Sequence, residues 1–226
     1  MQNNRQKQPR RSIGLTLVCS VICFVLPTLL TACVDSHAVT VRKERLLAQK
    51  HTLDGKNNPK SAGGNHCSMN PKTCWEFRFV PTVAVTKTKG IKDTDWYSST
   101  VKVQHVTVEV SLPFDMWLPD NPSDQVVEHE DGHVRICRHF YRDAAHQARK
   151  CGLHLIGREY TGEAKDEQTA EKLAIDAACA ELTSCYQEKI AEPANRASAD
   201  YDKLTAPGAN QLSVSDAIDK AIGEVQ

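Results

Sequence analysis

The sequence predicts an α+β protein in which a small antiparallel sheet is followed by a helix and then a second long helix. Three observations carry this reading. Apolar and polar residues alternate from Cys74 to Leu112, apolar spacing turns helical from Ser123 to Lys150, and an alanine-rich segment of high helix propensity covers about Asp166 to Glu192. Strands grouped ahead of helices suit an α+β order rather than repeated βαβ units.

The chain opens with Arg5, Lys7, Arg10 and Arg11 and then runs uncharged from Ile13 to Ala32. A basic start before an apolar stretch is the pattern of an export signal. The stretch ends Leu30-Thr31-Ala32-Cys33, which resembles the lipobox of bacterial lipoproteins. Residues 1–32 are therefore expected to be a lipoprotein signal peptide, with Cys33 lipidated and tied to a membrane. An uncleaved helical anchor is the competing reading, and Pro27 weakens it. The residues after Arg10-Arg11 fit a twin-arginine signal poorly, which leaves the general secretory route. Val34 after Cys33 favours an outer membrane facing the periplasm in a diderm host.

The chain carries 28 basic and 28 acidic residues, and taking away the four basic ones of the signal leaves 24 against 28. That balance gives no reason to expect nucleic acid as a partner. Six cysteines remain beyond Cys33, namely Cys67, Cys74, Cys137, Cys151, Cys179 and Cys185. An even set in an oxidising compartment suits disulfides. Cys67 with Cys74 is the expected local pair, and Cys137 with Cys151 could tie a helix to the segment after it. A four-cysteine zinc site is disfavoured because no C-x-x-C pair occurs.

Residues 33–65 are polar and rich in turn residues (DGKNNPKSAGGN), so they read as a flexible tether, with a short helix around Val41 to Gln49. The folded domain is then expected at 66–226. Trp75, Phe77, Phe79, Val83 and Val85 share one strand parity, and Lys87 to Ser98 supplies a turn. In the second run Val101 and Val103 lie on one parity and Val106, Val108, Val110 and Leu112 on the other, which predicts a bulge at His105. Pro113 to Pro122 ends the strand region. Ser123 or Asp124 can cap a helix running to Lys150, with Gly152 placed to end it. A loop with Gly157 and Gly162 comes next. In the alanine-rich helix Leu173, Ala177, Ala180 and Ser184 share a face, with Ile175, Cys179 and Leu182 beside it. Pro193 interrupts it, Ala194 to Leu204 resumes as helix, and Ser213 to Val225 forms a short amphipathic one.

Within the first helix stands His129-Glu130-Asp131-Gly132-His133. Residues four apart are about 400° apart around a helix, so His129 and His133 project from one face and can bind one zinc. Glu130 lies about 100° round from His129, within reach of a water at the metal rather than of the metal itself. That division suits a hydrolase, with Glu130 as general base. Gly132 leaves room beside the metal for backbone or substrate. For the third ligand, His139 stands at metzincin spacing, but Ile136 occupies the place of the required glycine and no methionine occurs after Met116. The metzincin reading is rejected on those grounds, and His146 and His154 read as exposed polar residues. Glu171, in a loose echo of the gluzincin E-x-x-A-D pattern, and Glu181 remain candidates.

Three segments, VTVEVSLPFDMW, VVEHEDGHVRI and Tyr201-Asp202-Lys203-Leu204-Thr205-Ala206-Pro207-Gly208, resemble a bacterial family of unknown function described as predicted secreted zinc-dependent proteases. The likeness spans about Cys74 to Gln211. It implies a minimal zincin-like α+β domain, zinc as cofactor, and a peptide or protein substrate. Family members read Y-D-x-x-T-x-H-G in the last segment, and this chain has Pro207 where the histidine would ligate. Asp202 could take that place as an oxygen ligand, and Tyr201 could steady the tetrahedral oxyanion. The functional expectation is a membrane-anchored zinc hydrolase of the cell envelope, a peptidase. The alternatives are a catalytically decayed, disulfide-braced lipoprotein acting as an envelope binding module, and a metal-free inhibitor or chaperone-like subunit.

Overall fold

Strand β5 (Trp96–Ser111) organises the domain, because its valines can only be buried if other elements close around them. In the computed structural model, which describes residues 36–53, 71–93, 95–206 and 212–225, Val101, Val103, Val106, Val108 and Val110 are all fully buried. They change parity midway, and the ladder to β4 (Arg78–Asp93) shows how. Ala84 faces His105 while Val85 faces Val103, so Gln104 is an extra residue. This is the bulge expected at His105, and it returns both halves of the strand to one inner face.

The class is α+β, as the order of patterns predicts. β4 pairs antiparallel with β5, and the hairpin is longer than expected: both strands run through the Lys87 to Ser98 region, with only residues 94–95 between them. The sheets also take in parallel strands. β1 (Val39–Lys43) runs parallel to the later half of β5, and β7 (Glu159–Ala164) runs antiparallel to its first half. A second sheet has the order β2-β6-β3, from β2 (Leu47–Thr52), β3 (Lys72–Trp75) and β6 (Pro113–Leu118).

Two expectations are corrected here. Val39–Thr52 is not a tether with a helix over Val41 to Gln49, since it forms β1 and β2, and Val39 is buried against the core. The compact unit accordingly spans Val34–Gln226, not 66–226. Parallel partners more than 60 residues away supply the hydrogen bonds that local sequence does not reveal. Pro113 to Leu118, expected to be non-strand, forms β6, with Phe114, Met116 and Leu118 buried at period two.

The helices keep the predicted order with shifted faces. α1 (Asp124–Arg142) begins at Ser123, whose hydroxyl accepts from the Val126 amide. The chain breaks at Asp143, and α2 (Ala144–Leu155) carries Gly152 inside it rather than at its end. A side chain there would strike Val39 at 2.8 Å, so the glycine serves the close approach of α2 to β1. Likewise Gly162 lies in β7 rather than in a loop, against α3 (Glu167–Tyr186), where a Cβ would meet the Ala170 carbonyl. On α3 the buried stripe is Ala170, Ala174, Ala178, Leu182 and Tyr186, and Leu173 faces solvent. A π turn over Gln187–Ala191 leads into α4 (Glu192–Thr205), with Pro193 in its first turn, and Ser213 caps α5 (Val214–Gly223).

The core has two parts. One lies between β5 and helices α1, α2 and α3, and the other packs Ile136 and Phe140 of α1 on Ala194, Ala197 and Tyr201 of α4 and Ala217, Ile218 and Ala221 of α5. α1 is thus gripped on two faces. The one disulfide among the described residues joins Cys151 to Cys185, tying α2 to the end of α3. The expected Cys137–Cys151 pair is therefore corrected. Cys137 stays a buried thiol, pushed well up from its ordinary pKa by burial. Cys67, the expected partner of Cys74, lies outside the described residues, as do the expected lipobox with Cys33, and Pro207. No helix among the described residues is long and apolar enough to cross a membrane.

Candidate metal centre

His129 and His133 leave α1 on the side that faces α4, where Asp202 reaches back to meet them. Asp202 Oδ1 lies 3.0 Å from His133 Nε2 and 3.5 Å from His129 Nε2. One ligand atom from each of the three residues falls within 4.8 Å of the others, so the group could hold a metal ion. Two neutral imidazoles and a carboxylate suit zinc. Ligands about 2.05 Å from a tetrahedral ion sit about 3.3 Å from each other, which matches the two observed separations. Three protein ligands leave one position open.

Each histidine is oriented by a hydroxyl from α4. Ser198 Oγ lies 2.6 Å from His133 Nδ1, and Thr205 Oγ1 lies 3.2 Å from His129 Nδ1. Thr205 donates its own proton to the Tyr201 carbonyl at 2.8 Å, so its oxygen accepts from His129 Nδ1–H. His129 donates Nε2–H to Asp202 when protonated on both nitrogens, and losing that proton leaves the Nδ1–H tautomer with Nε2 free, the form a metal requires. Trp75 of β3 stacks on His133 with ring centroids 5.6 Å apart, and Tyr201 stacks on His129 at 5.2 Å.

The electrostatics follow from this packing. Burial pushes the Asp202 carboxyl up, but the hydrogen bonds from His129 and His133 outweigh it and hold the group well below the usual carboxylate range. The hydrogen bond to Asp202 raises His129 in turn, with burial opposing it and Glu130 adding a smaller upward push. The group opens to solvent on one side: the His129 and Asp202 side chains are 33% and 57% exposed, against 7% for His133.

Glu130 is buried. Thr73 Oγ1 donates to Glu130 Oε2 at 2.8 Å and also reaches the Glu130 backbone carbonyl. Thr73 and Trp75 alternate on β3, so one face of this short strand touches both Glu130 and His133. Tyr201 does not stand at an open cleft. Its ring is fully buried, and its hydroxyl donates to the His129 carbonyl at 3.2 Å. The oxyanion role expected for Tyr201 is corrected to a packing role on that geometry. Gly132 takes the same correction, since a Cβ there would lie 2.3 Å from the Tyr201 hydroxyl, and the space it leaves is filled by Tyr201 rather than by substrate.

No family model, no curated protein and no solved structure matches this chain.

Of the candidates for a third ligand, the geometry brings in Asp202 alone. Glu181 accepts from Tyr160 at 2.9 Å and pairs with Arg158, and Glu171 lies on α3 among Glu167, Gln168 and Lys172. Sequence reading missed Thr73, Trp75, Ser198 and Thr205. A signal was present for the last two: Ser198, Tyr201, Asp202 and Thr205 fall at helical spacing on one face of α4. Nothing local marked Thr73 and Trp75, which are placed by strand pairing.

Proposed function

We propose that the protein is a zinc hydrolase of the cell envelope, a peptidase tethered to a membrane by lipid on Cys33. The convergence of His129, His133 and Asp202 on one point, with Glu130 next to His129 in the chain, carries this reading. Its family-level support is the resemblance of the HEDGH helix and the Tyr201-Asp202 segment to secreted zinc-dependent proteases. Zinc, when bound, acidifies a water and polarises a substrate carbonyl. The chain's own residues do the rest. His129 and His133, held at Nδ1 by Thr205 and Ser198, face Asp202 with Nε2 and would hold the ion there. Thr73 fixes one oxygen of Glu130 and leaves Oε1 to take a proton from the attacking water and pass it to the leaving amine. Trp75 and Tyr201 cover the imidazoles on their inner sides.

A second reading is a catalytically decayed, disulfide-braced binding module of the envelope. It is favoured by one observation, that Glu130 is only 4% exposed and already engaged by Thr73. Metal content and proteolysis of the full chain separate the two. The peptidase reading expects about one zinc per chain, loss of zinc in His133→Ala and in Asp202→Ala, and cleavage of unfolded protein substrates that stops in Glu130→Gln while zinc stays. Zinc without cleavage would support the binding module, and no zinc in the wild type would overturn the peptidase reading and leave the binding module.

A further inference from the structure

On the side of α1 away from His129 and His133 the structure holds a cleft of about 710 Å³, between the β1–β2 connection, the outer face of α1 and α5. Five Lys or Arg side chains line it against two acids, Glu44 and Asp219, in a chain whose total charge is zero. Arg135, Arg138 and Arg142 fall within about 60° of arc on α1, and Arg45 comes from the opposite wall. His133 lies roughly 160° round the helix from Arg135, so the cleft is separate from the metal centre.

The arginines are not consumed by the fold. Among the described residues Arg45, Arg138 and Arg142 form no ion pair, and Arg135 makes one long hydrogen bond, to Ser215 Oγ at 3.4 Å. The negative end of the α1 dipole accounts for a cation at Arg142 but not for the others. Lys43 is committed differently, donating to the Arg142 carbonyl at 3.0 Å and lying over the Tyr141 ring. The rest of the lining is Leu46, Ile218 and Ile222, with the rings of His139 and Tyr141.

We propose that this cleft binds an anionic amphiphile, a phosphate-bearing headgroup on an apolar chain, as in a phospholipid. Three unpaired guanidinium forks offer more donors than one carboxylate accepts, which favours phosphate, and the apolar side chains in the lining suit an acyl chain. The site is independent of the zinc reading.

The test is calorimetric titration of the full chain, in dodecyl maltoside, with lysophosphatidylglycerol, lysophosphatidylcholine of the same chain length, and inorganic phosphate. The anionic lysolipid is expected to bind about tenfold tighter than the zwitterionic one and than phosphate. An Arg138→Gln, Arg142→Gln double variant is expected to lose that tenfold, with its circular dichroism and zinc content unchanged. Equal binding of the two lysolipids, full retention in the double variant, or phosphate binding as tightly as the anionic lysolipid would overturn the proposal.

Discussion

Replacing Gly132 with alanine tests the joint between the two helices that bring His129, His133 and Asp202 together. The added Cβ would lie 2.3 Å from the Tyr201 hydroxyl, 2.5 Å from Cζ and 2.8 Å from Cε1. Tyr201 is fully buried and stacked on His129, so it has no free rotamer to retreat to. Relief to ordinary contact needs about 1 Å of movement, and α4 must supply it. Overpacking of this kind costs about 1–3 kcal/mol, and losing the bond from Tyr201 to the His129 carbonyl adds about 1. Helix propensity returns about 1 kcal/mol for Gly→Ala. The net expectation is a loss of about 1–3 kcal/mol, read by urea unfolding of the full chain.

Asp202 follows Tyr201 directly and moves with it, while ligand distances tolerate only about 0.2 Å. Zinc affinity should therefore fall at least about tenfold, measured by competition with a chromophoric chelator. The decisive arm is the cycle with Tyr201→Leu. In that background the clash partner is gone, and adding Gly132→Ala should cost little or stabilise by up to about 1 kcal/mol. Wild-type stability and zinc affinity in Gly132→Ala alone, or an equal cost of the alanine in both backgrounds, would refute the argument.

Ser198→Ala removes the hydrogen bond that orients His133 and should weaken zinc binding about 10- to 100-fold with little change in fold, readable in the same chelator competition. Stability should also depend on pH with opposite sign in the two metal states. In metal-free protein His129 has a raised pKa, so its contribution is full below the ordinary histidine value of 6.5 and is lost as pH rises through the folded one. Asp202 is lowered, so its contribution is lost as pH falls through the acid range. Between about pH 6 and 8 the melting temperature should thus fall with pH in chelator and rise with pH in zinc, which displaces the imidazole proton; parallel slopes would contradict the linkage. A chain beginning at residue 66 lacks β1 and β2, and Val39 with them, and should fail to give a cooperative unfolding transition. Reducing Cys151–Cys185, which spans 34 residues, should lower stability by about 3–4 kcal/mol, seen as a shifted urea midpoint.

Local chemistry made much of this protein legible in the sequence alone. Period-two valines, the parity switch at His105, the cap at Ser123 and the alanine-rich segment act within a few residues, so strand, bulge and helices could be read directly. The spacing of His129, Glu130 and His133 likewise fixed one helical face. Tertiary structure decided what depends on distant partners. It made strands of Val39–Lys43 and Leu47–Thr52 through parallel pairing with β5 and β6, and it joined Cys151 to Cys185 rather than to Cys137. It also selected Asp202 over Glu171 and Glu181, set Thr73 against Glu130, and gave the space beside Gly132 to Tyr201. The physical reason is common to all of these: a helix or strand specifies which side chains share a face, but only packing specifies what that face meets.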